Sequence, residues 1–70
     1  MSYETINVAH GGKSWGVSVV GEHDVRSHHF TKEAAVYTGR ALAVRMSGEL
    51  VIHDTDGEVA RRESYVPDLS

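Results

Sequence analysis

The segment running from Leu50-Val51-Ile52 through His53-Asp54-Thr55-Asp56-Gly57 to Val59 constrains this chain most. An apolar run, an acidic turn closing on Gly and a returning strand together signal a β-hairpin. The C-terminal third is thereby read as a tight hairpin that follows a helix. Gly57 is expected to take the left-handed conformation that closes the turn.

The segment before the hairpin reads as a helix. Thr31 is placed as N-cap, and Glu33 lies in the first turn, where the helix dipole favours negative charge. Phe30 and Ala35 have hydrophobic-staple spacing. The helix is predicted from Lys32 to about Met46, with Gly48 ending it in a left-handed conformation. Ala35, Gly39, Leu42 and Met46 share one face, and Gly39 suits close approach to a sheet. Ala34, Tyr37, Ala41 and Val44 form a second stripe roughly opposite. One sheet needs only one apolar helix face, so the second stripe is either half-exposed small residues or a contact with another subunit.

Three strands are expected earlier. Thr5 to His10 alternates. Gly11-Gly12-Lys13 is a turn. Trp15, Val17 and Val19 alternate with small residues and put Trp15 toward the core. A more polar edge strand follows from Val25 to Phe30. The resulting fold class is α+β: an antiparallel sheet of about five strands in the order β-β-β-α-β-β, with one helix packed on one face. The expected core is Val8, Trp15, Val17, Val19, Phe30, Ala35, Leu42, Met46, Leu50 and Ile52. Residues 1–70 form a single small domain, with 65–70 as a flexible tail.

Taken in order, several groups match a known pattern: Trp15-Gly16-Val17-Ser18-Val19, Thr31-Lys32-Glu33, Ala35, Leu42-Ala43, Glu49-Leu50-Val51-Ile52-His53, Asp56-Gly57 and Ser64-Tyr65. The chain resembles the small bacterial and phage family DUF2188, a domain of unknown function, from about Val8 to Tyr65. Val66 departs from it, standing where the family usually has Gly. The resemblance implies the fold and brings no established activity.

Seventy residues bury only ~60% of the extended surface. Without cysteine there are no disulfides or thiolate metal sites. Small unstapled domains often oligomerise, so a homodimer is expected, through Ala34, Tyr37, Ala41 and Val44 or, as the competing route, by edge pairing of an outer strand, together with an unidentified protein partner. No apolar stretch approaches the ~20 residues of a membrane span. The N-terminus lacks a signal-peptide pattern. The expected compartment is the cytoplasm of a bacterium, an archaeon or a phage-infected cell.

A net charge of −3 argues against broad phosphate-backbone binding. The alternative is a nucleic-acid contact through Arg26, Arg61 and Arg62, with Arg40 nearby; the competing explanation is a strand edge protected by charge. No enzymatic activity, cofactor or metal is expected. The adjacent His28 and His29 point to opposite faces of a strand. The Asp residues after His53 suit a turn without any ion. Ser64 and His53 lack an evident third group for nucleophilic catalysis. Gly11-Gly12-Lys13-Ser14 leads into a strand, unlike a phosphate loop.

Overall fold

The structure is a computed structural model that describes residues 3–67. Its elements are β1 (Thr5–Gly11), β2 (Ser14–Val19), β3 (Ser27–His29), α1 (Lys32–Met46), β4 (Glu49–His53) and β5 (Val59–Ser64). The β-β-β-α-β-β order and the α+β class are those expected. The five strands form one sheet in the order β3-β2-β1-β4-β5. It is mostly antiparallel, but β1 and β4 pair in parallel, with Ile6 beside Leu50 and Val8 beside Ile52. The three strands that carry the buried apolar residues, β2, β1 and β4, thereby take the interior, and the more polar β3 and β5 take the edges.

The helix packs across β1 to β4 and leaves β5 uncovered. Its seam is Ala35, Gly39 and Ala43, all buried and spaced by four. Small residues bring the helix axis close to the strands. A Cβ on Gly39 would lie 2.8 Å from Val8 Cγ2 and 3.1 Å from Leu50 Cδ1. The close approach expected of Gly39 is therefore real, but the seam is rotated from the expected face. Ala43 is buried, whereas Leu42 and Met46 are only partly covered at its margin.

Beneath the helix lie Ile6, Val8, Trp15, Val17, Val19, Leu50 and Ile52. Ile6 belongs to this core although it was not among the expected residues. Its alternation with Val8 puts it on the same sheet face. Trp15 is buried, with His10 edge-on at 4.9 Å and Lys32 Nζ 5.7 Å from its ring. Val51 is buried on the opposite face, in the interior strand β4.

Phe30 corrects the sequence reading. It is 90% exposed and no part of the core. The edge strand is only Ser27–His29, and His29 pairs with Trp15 on the helix side. Alternation turns the next residue away from the helix, where no second layer waits. The Phe30–Ala35 staple therefore does not form. The cap does: Thr31 Oγ1 accepts from the Ala34 N–H at 3.2 Å.

The helix also ends differently from expectation. Ser47, not Gly48, is left-handed, with φ 53°. Gly48 is needed for space, because a Cβ there would overlap the Glu4 carbonyl oxygen. Its own carbonyl accepts from the Tyr65 N–H at 2.8 Å. Tyr65, at the start of the expected 65–70 tail, is thus docked and partly buried against the core. Residues 68–70 of that tail lie outside the described residues.

The hairpin turn closes as expected, with Gly57 at φ 89°. The Gly57 N–H donates to the Asp54 carbonyl at 2.9 Å, and Asp56 Oδ1 accepts from the Glu58 N–H at 3.1 Å.

Candidate functional site

The helix places the second stripe on its outer face. Ala34, Tyr37, Ala41 and Val44 are all exposed, Tyr37 by 77% and Val44 by 54%. The core reaches α1 through Ala35, Gly39 and Ala43, which leaves this stripe on the opposite side of the helix. Tyr37 stands as a ridge between two grooves. One runs toward β5 and includes Val36, Arg40, Ile52 and Arg61. The other runs toward β3 and includes Val17, Arg26, Leu42 and Arg45.

The arginines do not form one patch. Arg26 lies just before β3, at one edge of the sheet, and is bidentate to Glu22 at 3.0 and 2.8 Å. That pairing lowers the Glu22 pKa and raises that of Arg26. Arg61 and Arg62 are on β5, at the other edge. They also face opposite sides of it: Arg61 pairs across from Ile52 on the helix side, and Arg62 from Val51 on the open side. Arg62 Nη1 donates to Glu49 Oε1 at 2.9 Å.

A cluster that sequence reasoning missed ties α1 to β5. Arg40 donates through Nε and Nη2 to the two oxygens of Glu63, both at 2.8 Å. The Tyr65 hydroxyl donates to Glu63 Oε1 at 2.6 Å, and Arg61 Nε lies 3.0 Å from Oε2. The Arg40 hydrogen bonds, then that of Tyr65, hold the Glu63 carboxyl at a pKa of about 2. The same contacts raise Arg40, and the Glu63 bond raises Tyr65. Arg40 and Glu63 are 23 residues apart, so no local pattern could announce the pair.

The histidine and serine positions remain dispersed. His28 pairs with Gly16 and His29 with Trp15, on opposite faces. His29 Nε2 shares a hydrogen bond of 2.9 Å with Ser27 Oγ, and His53 Nδ1 lies 3.3 Å from the Gly57 carbonyl. Among the described residues, no three His, Asp or Glu side chains converge as metal ligands. Ser64 pairs with Glu49, and His53 with Val59, at opposite ends of the hairpin. Four residues of strand separate these levels by roughly 13 Å. Gly11-Gly12-Lys13-Ser14 is the turn joining β1 to β2, with Gly12 at φ 63°.

These features define a class: a small two-layer α+β domain whose helix presents an uncovered outer ridge. Within that class, residues 3–65 match the family DUF2188, uncharacterized proteins conserved in bacteria, and the chain belongs to it. No curated protein and no solved structure matches the chain. No helix among the described residues is long and apolar enough to cross a membrane.

Proposed function

We propose that this domain is a non-enzymatic interaction module that self-associates as a dimer and works through a protein partner. The observation that carries the reading is the outer face of α1. Tyr37 and Val44 are large apolar side chains left in water on a helix whose small neighbours, Ala34 and Ala41, would allow close approach. Aromatic anchors set among small residues are typical of the centres of protein contacts. A two-fold axis is the usual symmetry for such self-contact. The cytoplasm is the compartment of this reading, in keeping with a small domain that has no cysteines to staple it.

The nucleic-acid alternative through Arg26, Arg61 and Arg62 has less support. The three residues are divided between the two sheet edges, and each lies within 4 Å of a carboxylate. Self-association is tested by light scattering. Tyr37→Glu should shift a dimer toward monomer and lower the apparent melting temperature by removing mass-action stabilisation. A parent protein that is monomeric at high micromolar concentration would sink the reading.

A further inference from the structure

We propose that two copies of this chain pack their α1 helices antiparallel about a two-fold axis at the level of Gly39, with Glu33 of each copy meeting the partner's Arg45. The inference rests on the reading of the domain as a helix-face dimer, and it names the direction of the helices and the residues that meet.

The exposed residues of α1 are Glu33, Ala34, Tyr37, Ala41, Val44 and Arg45. They stand in pairs six, five and two positions either side of Gly39, the midpoint of Lys32–Met46. A two-fold axis perpendicular to the helix at that level reverses chain direction. Each residue then faces the one equally far from Gly39 on the other copy. Tyr37 faces the partner's Ala41, and Val44 faces the partner's Ala34. Both large exposed side chains thus meet small ones. A parallel pair would set Tyr37 against Tyr37 and Ala41 against Ala41, crowding one level and leaving the next empty.

The charges point the same way independently. Glu33 lies in the first turn and Arg45 in the last. Each is about 9 Å along the axis from Gly39, and the two flank the stripe by roughly 60° on opposite sides. Accordingly, Glu33 borders the groove toward β5, and Arg45 the groove toward β3. The two-fold axis exchanges the flanks as well as the ends, so it carries Arg45 to the flank and level of Glu33, twice per dimer. On α1, Asp54 answers Lys32 and Glu63 answers Arg40. Among the described residues, neither Glu33 nor Arg45 has an opposite charge within 4 Å. The acid and base that the chain leaves unanswered on this helix are the two that a second, antiparallel copy answers. Parallel helices would bring acid to acid and base to base.

The test measures the dimer dissociation constant by sedimentation. Glu33→Gln and Arg45→Gln should each weaken the dimer about threefold or more, the scale of two exposed ion pairs lost. The double variant should be little weaker than either single one, because both act on the same pairs. In a parallel dimer each substitution removes a repulsion and tightens association instead. Far-UV circular dichroism of the variants should match the parent, since both positions are exposed. A second measurement uses the absence of native cysteine. A short bis-maleimide should join Glu33→Cys chains to Arg45→Cys chains in a mixture. It should join neither variant to itself, because like positions stand about 18 Å apart along the axis. Tighter dimers from the Gln variants, or cross-linking of Glu33→Cys to itself, would overturn the antiparallel arrangement. A dimer that Tyr37→Glu dissociates but that gives either of those results keeps self-association and loses only this inference. A parent that is monomeric at high micromolar concentration loses both. A dimer indifferent to every one of these substitutions places the contact at a sheet edge and overturns this inference as well.

Discussion

The two faces of α1 are built from similar residues and live in different surroundings. The inner seam is Ala35, Gly39 and Ala43, spaced by four; the outer stripe includes Ala34 and Ala41, seven residues apart. Side-chain size alone does not separate them. The inner seam is held by contact: Gly39 lies so close to Val8 and Leu50 that it has no room for a methyl group. On the outer stripe Ala34 and Ala41 are small although they are exposed and not part of the core. Smallness on the inside is therefore a packing requirement, and on the outside it is available for something beyond the chain.

The sharpest way to break this comparison is to enlarge one residue on each face. Gly39→Leu should cost about 3 kcal/mol or more and abolish cooperative folding, since Val8 and Leu50 are fully buried and cannot yield. Gly39→Ala is the finer form. It gains about 1 kcal/mol in helix propensity, and the overlap with Val8 should exceed that gain. By contrast, Ala41→Leu should change monomer stability by less than about 0.5 kcal/mol. Urea denaturation decides both. An equal response on the two faces would show that the seam is misplaced.

The next effect lies at the margin between the faces, where Arg40 reaches Glu63. The Glu63 carboxyl sits at about 2 in the fold against 4.5 unperturbed. A lowered folded value favours the ionised native state. The contribution is complete above pH 4.5 and is lost as pH falls through 4.5 toward 2. Because Arg40 is 42% exposed, water screens the pair, and about 1–2 kcal/mol is expected. Glu63→Gln should lower stability at pH 7 and flatten the loss between pH 4.5 and 2. An acid limb unchanged by Glu63→Gln would mean that other carboxylates govern it.

A comparable effect is expected in the hairpin. Gly57→Val should destabilise by ~1 kcal/mol or more, because a β-branched residue is strained at positive φ. An unchanged melting temperature would contradict the turn. The smallest effect belongs to Phe30. As a solvent-exposed side chain beyond the edge strand, it should tolerate Phe30→Ser within about 0.5 kcal/mol. A larger loss would place Phe30 in a contact such as the subunit interface, and light scattering of the variant would then show a change of mass.

Local signals made most elements legible in the chain. The helix limits, Lys32–Met46, follow from the Thr31 cap and the apolar period, and the hairpin follows from Asp54 to Gly57, because these depend on residues a few positions apart. The candidate stripe of Ala34, Tyr37, Ala41 and Val44 was legible for the same reason: helical spacing puts it on one side. Its exposure was not, because that depends on what else packs there.

Sequence by itself determined the alternation that buries Val8, Val17 and Leu50, the capped helix, the tight turn and the choice of Gly at 39. Only the tertiary structure decided that β1 and β4 lie parallel at the centre of the sheet, that Phe30 is outside the core, and that Ser47 rather than Gly48 turns left-handed. It alone brought Arg40, Arg61, Glu63 and Tyr65 together beside an uncovered β5. The physical reason is one of range. Backbone conformation and capping answer to neighbours within a turn or two, whereas strand order, which face is covered and which charges meet are settled when distant segments compete for the same apolar surface.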